Sequence, residues 1–356
     1  MKLLFYISTT RGGGAARVLV NLANHLAQLQ HQIIFVTNFP DANEYPLIEK
    51  VKRFSVEKQE STQNRLLKNI SRIHKLRRII QQEKPQACLA FMGENNFRLL
   101  VSTLGIPTKS FVSVRNDPKK EYRGLLGYLI GKFLFRLADG VVFQTQEAQA
   151  WFPICVQKKS TVIFNPVQSS FYQVKRAGHP QHIVTCGRLN PQKNQALLIR
   201  AFAKIADKYP QENLLIYGKG ELEDKLCQLI EDLHLQKRIY LMGLTTCVED
   251  VLANAKLFVL SSDYEGMPNA LMEALAAGVP SISTDCPCGG PHELIAPGQN
   301  GLLVPCNDEN AMAEAMDKIL SSSQRAEQMG QCARKSAQAY MPEVIMKQWE
   351  TFIKGI

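Results

Sequence analysis

Short apolar runs alternate with helix-patterned stretches along the whole chain, and many of the runs end in a loop rich in Gly, Pro or Asn just before the next helix. Residues 2–8, 33–37, 51–56, 86–90, 109–114, 140–144 and 161–164 read as strands in the first half, and 182–186, 213–217, 238–242, 256–260 and 280–284 repeat the pattern in the second. Such alternation implies parallel, doubly wound sheets, because a parallel connection needs a crossover long enough to hold a helix. At 356 residues the chain is too long for one ordinary core, so two α/β domains are expected. Asn165-Pro166 marks the hinge. The first domain is placed at 1–166 and the second at 167–341, with a last helix over 342–356, carrying Trp349 and Phe352, expected to pack back on the first.

In open α/β sheets ligands bind outside the carboxyl ends of strands, where helix N-termini point positive ends into the crevice. The loop after 256–260 is the richest candidate: Asp263-Tyr264-Glu265-Gly266-Met267-Pro268-Asn269 leads into a helix expected from Pro268 to Gly278, with Glu273 in its second turn. Two carboxylates flanking a helix N-terminus suit the hydroxyls of a ligand whose anionic part lies on the helix. Upstream, Gly187-Arg188-Leu189 and Lys193-Asn194 follow a strand and open a helix, as does Gly218-Lys219-Gly220. A guanidinium fork and an ammonium point charge beside a helix start fit a diphosphate. In the first half, Gly12-Gly13-Gly14-Ala15 lies between the first strand and its helix and suits backbone N–H groups approaching a phosphate. A dinucleotide fingerprint is disfavoured, because Arg17 stands where a third Gly is needed and Asn38 closes the second strand instead of an acid.

Charge is uneven. Residues 1–166 hold 24 Lys/Arg against 11 Asp/Glu, a net of +13, whereas the remainder holds 18 against 21, a net of −3. An anionic partner for the first half alone is implied. The stretch 119–137 mixes Leu, Phe and Tyr with basic residues and reads as one helix able to lie in a lipid interface, or as a core helix with a solvated basic face. The stretch 64–82 reads as a helix with Leu66, Leu67, Ile70, Ile73, Leu76, Ile79 and Ile80 on its apolar face. No apolar run reaches the roughly 18 to 20 residues of a membrane span, and the N-terminus reads as a strand rather than a signal peptide. The nine cysteines are scattered and include no C-x-x-C pair, which argues for reduced thiols and against a zinc site.

Taken together and in order, Gly12-Gly13-Gly14-Ala15, Gly187-Arg188-Leu189 with Lys193-Asn194, Gly218-Lys219-Gly220, and the E-x7-E pair Glu265 and Glu273 resemble retaining glycosyltransferases of the GT-B architecture, family 4 type, which assemble bacterial surface glycans. The resemblance covers essentially the whole chain. It implies two Rossmann-like domains facing across a cleft, the first for the acceptor and the second for a nucleotide-sugar donor. Arg188, Lys193 and Glu265 would be catalytic, the two cations holding the donor diphosphate as its charge grows and Glu265 facing the sugar hydroxyls. Donor binding would also involve Gly13, Gly14, Gly187, Gly218, Gly266, Met267, Pro268, Asn269 and Glu273, with Glu273 on the ribose. Relatives carry a His soon after the strand corresponding to 109–114, where it contacts the donor sugar. Here Arg115 and Asn116 stand in that segment, so one of them would make the acceptor or sugar contact or that role is absent, and Asn116-Asp117-Pro118 is also a plain turn signal.

The expected function is transfer of a hexose or N-acetylhexosamine, with retention, from a nucleotide sugar, UDP-linked by expectation, onto a lipid-linked or surface-glycan acceptor such as a polyprenyl diphosphate. Neither a metal nor a cofactor is expected, since no D-x-D motif is present. Nucleic acid is not an expected partner. Peripheral contact with anionic membrane through the first domain would place the enzyme at the inner face of the cell membrane. Two other readings are a sugar-nucleotide epimerase of the same shape and a non-catalytic nucleotide-sugar-binding protein.

Overall fold

The computed structural model describes residues 1–11, 14–40, 45–58, 64–178 and 180–355, apart from the side chains of residues 65 and 126. The chain divides into two compact units, Met1–Asn165 with Ile345–Ile356, and Pro166–Val344.

The first unit is built on a sheet of seven strands, β1 (Lys2–Tyr6), β2 (Gln32–Thr37), β3 (Lys52–Ser55), β4 (Ala87–Phe91), β5 (Lys109–Ser113), β6 (Gly140–Phe143) and β7 (Ser160–Val162). Their order is β3-β2-β1-β4-β5-β6-β7, all parallel, with Leu3 paired to both Ile33 and Ala87. The strands β1, β2, β4 and β6 read as largely apolar runs because helices cover both faces, and every residue of β4 is buried. The last helix, Pro342–Gly355, closes this core: Trp349 is fully buried and stacks on Phe91 at 5.4 Å, and Phe352 meets Phe111 at 5.5 Å.

The second unit carries β8 (His182–Cys186), β9 (Asn213–Tyr217), β10 (Ile239–Gly243), β11 (Ala255–Leu260), β12 (Ser281–Thr284) and β13 (Leu302–Val304), in the parallel order β10-β9-β8-β11-β12-β13. The strand order reverses between β1 and β4 in the first sheet and between β8 and β11 in the second. Those are the switch points at which an open sheet leaves a crevice for ligand.

Several expectations differ from the structure, beginning with β13, which is not among the strands read from the sequence. The stretch 119–137 is not one helix: Pro118–Glu121 is a single turn, Gly124–Phe133 follows after a break, and Leu134–Leu137 is a 3-10 turn. The break exists because Tyr122 leaves the helical path to enter an aromatic cluster, stacking on Trp151 at 5.9 Å and meeting Phe135 edge-on at 5.6 Å. The helix Arg65–Glu83 does not bury the whole apolar set: Leu66, Leu67 and Ile70 are exposed, while Leu76 and Ile80 are buried. At that level its inward face is polar, because Arg72 pairs with Glu57 at 2.9 Å and Asn69 accepts from Arg98 at 2.7 Å. Finally, Pro268 is the cap residue before the helix Asn269–Ala276 rather than its first member.

Candidate active site

In the second unit both sides of the switch point end in loops with chemistry. After β8 the chain passes Gly187 and Arg188 into the 3-10 turn Pro191–Lys193, capped by the Asn190 side chain, which accepts from the Lys193 N–H. Asn194 then caps the helix Gln195–Ile205 by accepting from the Leu197 N–H, and it adopts φ 43°, a conformation Asn tolerates better than most residues. Its amide donates to Asp263 at 2.8 Å and to Asn307 at 2.9 Å, tying the β8 loop to the loop after β11.

After β11, Ser261 Oγ donates to the Lys193 carbonyl at 3.0 Å and Ser262 Oγ donates to Glu265 Oε1 at 2.7 Å. Lys193 Nζ donates to the same Glu265 oxygen at 2.5 Å, and both side chains are largely buried. Arg188 is exposed and makes no side-chain hydrogen bond or ion pair among the described residues. One cation is therefore already matched to a carboxylate, while the other stands open. Glu273, on the second turn of Asn269–Ala276, is buried at 8% exposure. Burial first and the Glu273 carboxylate second push the thiol of Cys186, the last residue of β8, up to about 12.

The glycines act by closeness. The N–H of Gly187 is taken by the Tyr217 carbonyl at 2.9 Å and that of Gly218 by the Gly243 carbonyl at 2.8 Å. A Cβ on Gly218, whose φ is 149°, would lie 1.9 Å from the Gly187 carbonyl oxygen, so only glycine lets the β8 and β9 loops touch. Sequence reading did not single out Gly290, yet a Cβ there would lie 1.8 Å from the Gly266 carbonyl oxygen and 2.9 Å from Pro268. The loop bearing Glu265, Gly266 and Met267 thus rests on the backbone of the loop after β12, and the Glu265 N–H donates to the Pro287 carbonyl at 3.1 Å. Met267 is buried at 6% exposure, and Asn269 begins the helix. Ser261 and Ser262 were also missed. The available signal was that polar residues flank each loop directly at a strand or helix end.

In the first unit, Gly13 lies outside the described residues, and Gly14 is the first residue of the helix Gly14–Gln28. Arg115 and Asn116 separate in role. Asn116 Oδ1 accepts from the Asp117 N–H at 2.9 Å, and Asp117 caps the turn Pro118–Glu121, which is the plain turn the sequence also allowed. Arg115 is buried: its guanidinium lies 4.5 Å from the centre of the Phe91 ring, Nη1 donates to Ser113 Oγ at 3.4 Å, and Nη2 donates to Asn165 Oδ1.

Comparison with known proteins places the chain in a class. Solved structures similar to the chain include the sucrose-phosphate synthase of Thermosynechococcus elongatus, with a TM-score of 0.85 at 18% identity over 99% of this chain and 98% of that one. HepE of Anabaena in complex with UDP gives a TM-score of 0.82 at 18% identity over 100% of both chains. The fold is the GT-B architecture, with two Rossmann-like parallel-sheet domains. Two family models match, one described as Glycosyltransferase Family 4 over residues 12–171 and one as Glycosyl transferases group 1 over residues 168–336. The chain belongs to the family 4 type of glycosyltransferases and is a transferase. Among curated relatives, it is 28% identical to an uncharacterized glycosyltransferase of Methanocaldococcus jannaschii over 83% of this chain and 86% of the relative. It is 25% identical, over 100% of this chain and 99% of the relative, to an alpha-1,4-N-acetyl-D-galactosaminyltransferase of Campylobacter jejuni named for GalNAc-alpha-(1->4)-GalNAc-alpha-(1->3)-diNAcBac-PP-undecaprenol.

Proposed function

We propose that the enzyme moves a hexose or N-acetylhexosamine, with retention and without a metal ion, from a UDP-sugar onto a glycan carried on a polyprenyl diphosphate. The observation that carries this reading is the meeting of the Arg188–Lys193 loop and the Glu265 loop at the β8/β11 switch point, tied by the 2.5 Å contact of Lys193 with Glu265. The donor diphosphate would take the open Arg188 and share Lys193, which meets the negative charge that grows on the leaving phosphate. Glu265 would accept from the sugar hydroxyls and Glu273 from the ribose, with the N-terminus of Asn269–Ala276 beside them. The departing phosphate then takes the acceptor hydroxyl's proton as the new bond forms on the same face, so neither carboxylate serves as a nucleophile. The UDP in the HepE structure and the undecaprenyl diphosphate in the Campylobacter relative's name support the choice of donor and acceptor class.

Contact with an anionic membrane at the inner face of the cell membrane belongs to the same reading. Leu125, Tyr128, Leu129, Phe133 and Leu137 are exposed beside Lys120, Arg123 and Arg136, the pairing of apolar and basic side chains that a lipid interface favours. No helix among the described residues is long and apolar enough to cross a membrane. A mass-spectrometric screen of nucleotide sugars against lipid-diphosphate acceptors, with and without EDTA, tests the whole. Transfer from a UDP-sugar that survives EDTA is the expected result, with Glu273→Ala raising the donor KM. Unchanged donor KM in that variant would refute the ribose contact, and loss of transfer in EDTA would refute metal independence.

A further inference from the structure

Arg115 is a buried cation with no counter-charge. It is 9% exposed, and no carboxylate lies within ion-pair distance of it among the described residues. Its Nε is enclosed and has no hydrogen-bond partner. What surrounds it is neutral: the Phe91 ring, Ser113 Oγ, and Asn165 Oδ1, which also accepts from Gln144 Nε2 at 2.9 Å. Burial alone pulls its pKa down to about 9, a departure that a paired arginine would not show.

Position adds to chemistry. Phe91 ends β4, Ser113 ends β5, Gln144 directly follows β6, and Asn165 lies just past β7. The guanidinium therefore sits over the carboxyl rim of four neighbouring strands, beside the β1/β4 switch point, where such a sheet receives its ligand. Unpaired buried charge is costly, and a site that holds one in a fixed orientation with unspent donors is arranged for an anion that arrives from outside. Asn165 and Phe91 hold the plane of the fork, which suits a tetrahedral oxyanion offered two oxygens at once.

We propose that Arg115 is a phosphate-binding side chain of the first unit, engaging an oxyanion of a substrate diphosphate. The inference rests on the glycosyltransferase reading for the source of that phosphate, which is either the sugar nucleotide or the lipid-linked acceptor.

The test has a binding arm that needs no turnover. Pyrophosphate is titrated by calorimetry into the full chain carrying Arg188→Gln and Lys193→Gln, which removes the two second-unit cations proposed to hold the donor diphosphate, and into the same chain also carrying Arg115→Met. Methionine keeps the apolar stem over Phe91 and removes the buried charge. Saturable binding that weakens at least tenfold on adding Arg115→Met is expected, with Arg115→Lys falling between. Equal binding with and without Arg115, or no saturable binding in the parent, would overturn the proposal even if the enzyme proves to be a glycosyltransferase, and binding would stand even if it does not. Kinetics on Arg115→Met in the otherwise unaltered chain identify the source. A raised KM for the sugar nucleotide points to the donor, and a raised KM for the diphosphate-linked glycan, but not for the same glycan without phosphate, points to the acceptor. A fall in kcat with both KM values held would overturn it in favour of a positioning role through Asn165.

Discussion

Glu121→Gln should stabilise the first unit at pH 8 and by much less at pH 5. Glu121 ends the turn Pro118–Glu121 and turns its carboxyl inward, where Oε1 accepts from the Gly93 N–H at 2.5 Å and Oε2 is enclosed without a partner. Two effects compete. Burial disfavours the carboxylate, and the Gly93 N–H at the start of the helix Gly93–Thr103 favours it; burial wins and raises the pKa from 4.5 to about 7. The folded state then keeps a proton that the unfolded chain releases, so stability is full below pH 4.5, falls as pH rises toward 7, and is flat at a lower level above that. The gap corresponds to about 3 kcal/mol. Glutamine keeps the acceptor for Gly93 and never ionises, so the variant loses this slope. Both tryptophans, Trp151 and Trp349, belong to the first unit, so their fluorescence in urea reports its unfolding separately from that of the second. The expected outcome is a wild-type midpoint that falls between pH 5 and pH 8 relative to the variant's. Parallel pH profiles in the two proteins would refute the reasoning.

Three further outcomes follow from particular contacts. Trp349→Ala removes a fully buried side chain stacked on Phe91 and should cost the first unit about 3–5 kcal/mol, read in urea from the remaining Trp151. Gly290→Ala must push the Glu265 loop off its support, given the 1.8 Å approach to Gly266, so UDP affinity should drop while first-unit unfolding is unchanged; wild-type affinity would show the loop is not held there. Leu125→Asp with Phe133→Asp, both exposed, should lower co-sedimentation with anionic liposomes at least tenfold without altering stability, and unchanged sedimentation would remove the membrane contact from the proposed function.

The architecture was legible because it rests on period and punctuation: runs such as Ala87–Phe91 are apolar throughout, and loops such as Gly187–Asn194 announce the strand-to-helix turn. Glu265, Arg188 and Lys193 were legible for the same reason, since each lies in a loop whose place at a strand end follows from the pattern. What escaped was whatever depends on which way a side chain turns. Leu66, Leu67 and Ile70 have helical spacing, but the inward stripe of their helix is Asn69, Arg72, Leu76 and Ile80, chosen by Glu57 and Arg98 from elsewhere in the chain. Tyr122 breaks its helix for partners about 13 to 30 residues away in sequence, and no local propensity could reveal them.

Arg115 and Lys193 show how the same residue chemistry acquires different meaning from its surroundings. Lys193 has Glu265 on its ammonium, so it arrives at a ligand already balanced, and the proposed donor diphosphate would compete with that carboxylate for the ammonium or share the ammonium with it. Such a cation can change partners as charge moves from sugar to leaving group, at little cost in solvation, because some opposite charge is always within reach. Arg115 has only neutral groups about it, so an anion bound there gains an interaction that nothing in the free protein replaces. Lys193→Ala should therefore lower kcat more than it raises any KM, since its carboxylate partner limits what it adds to ground-state binding. Arg115→Met should do the reverse and act mainly on KM. Steady-state kinetics of the two variants on one donor–acceptor pair decide the matter, and equal effects of both on kcat alone would mean that the ion pair with Glu265 does not govern how Lys193 meets its ligand.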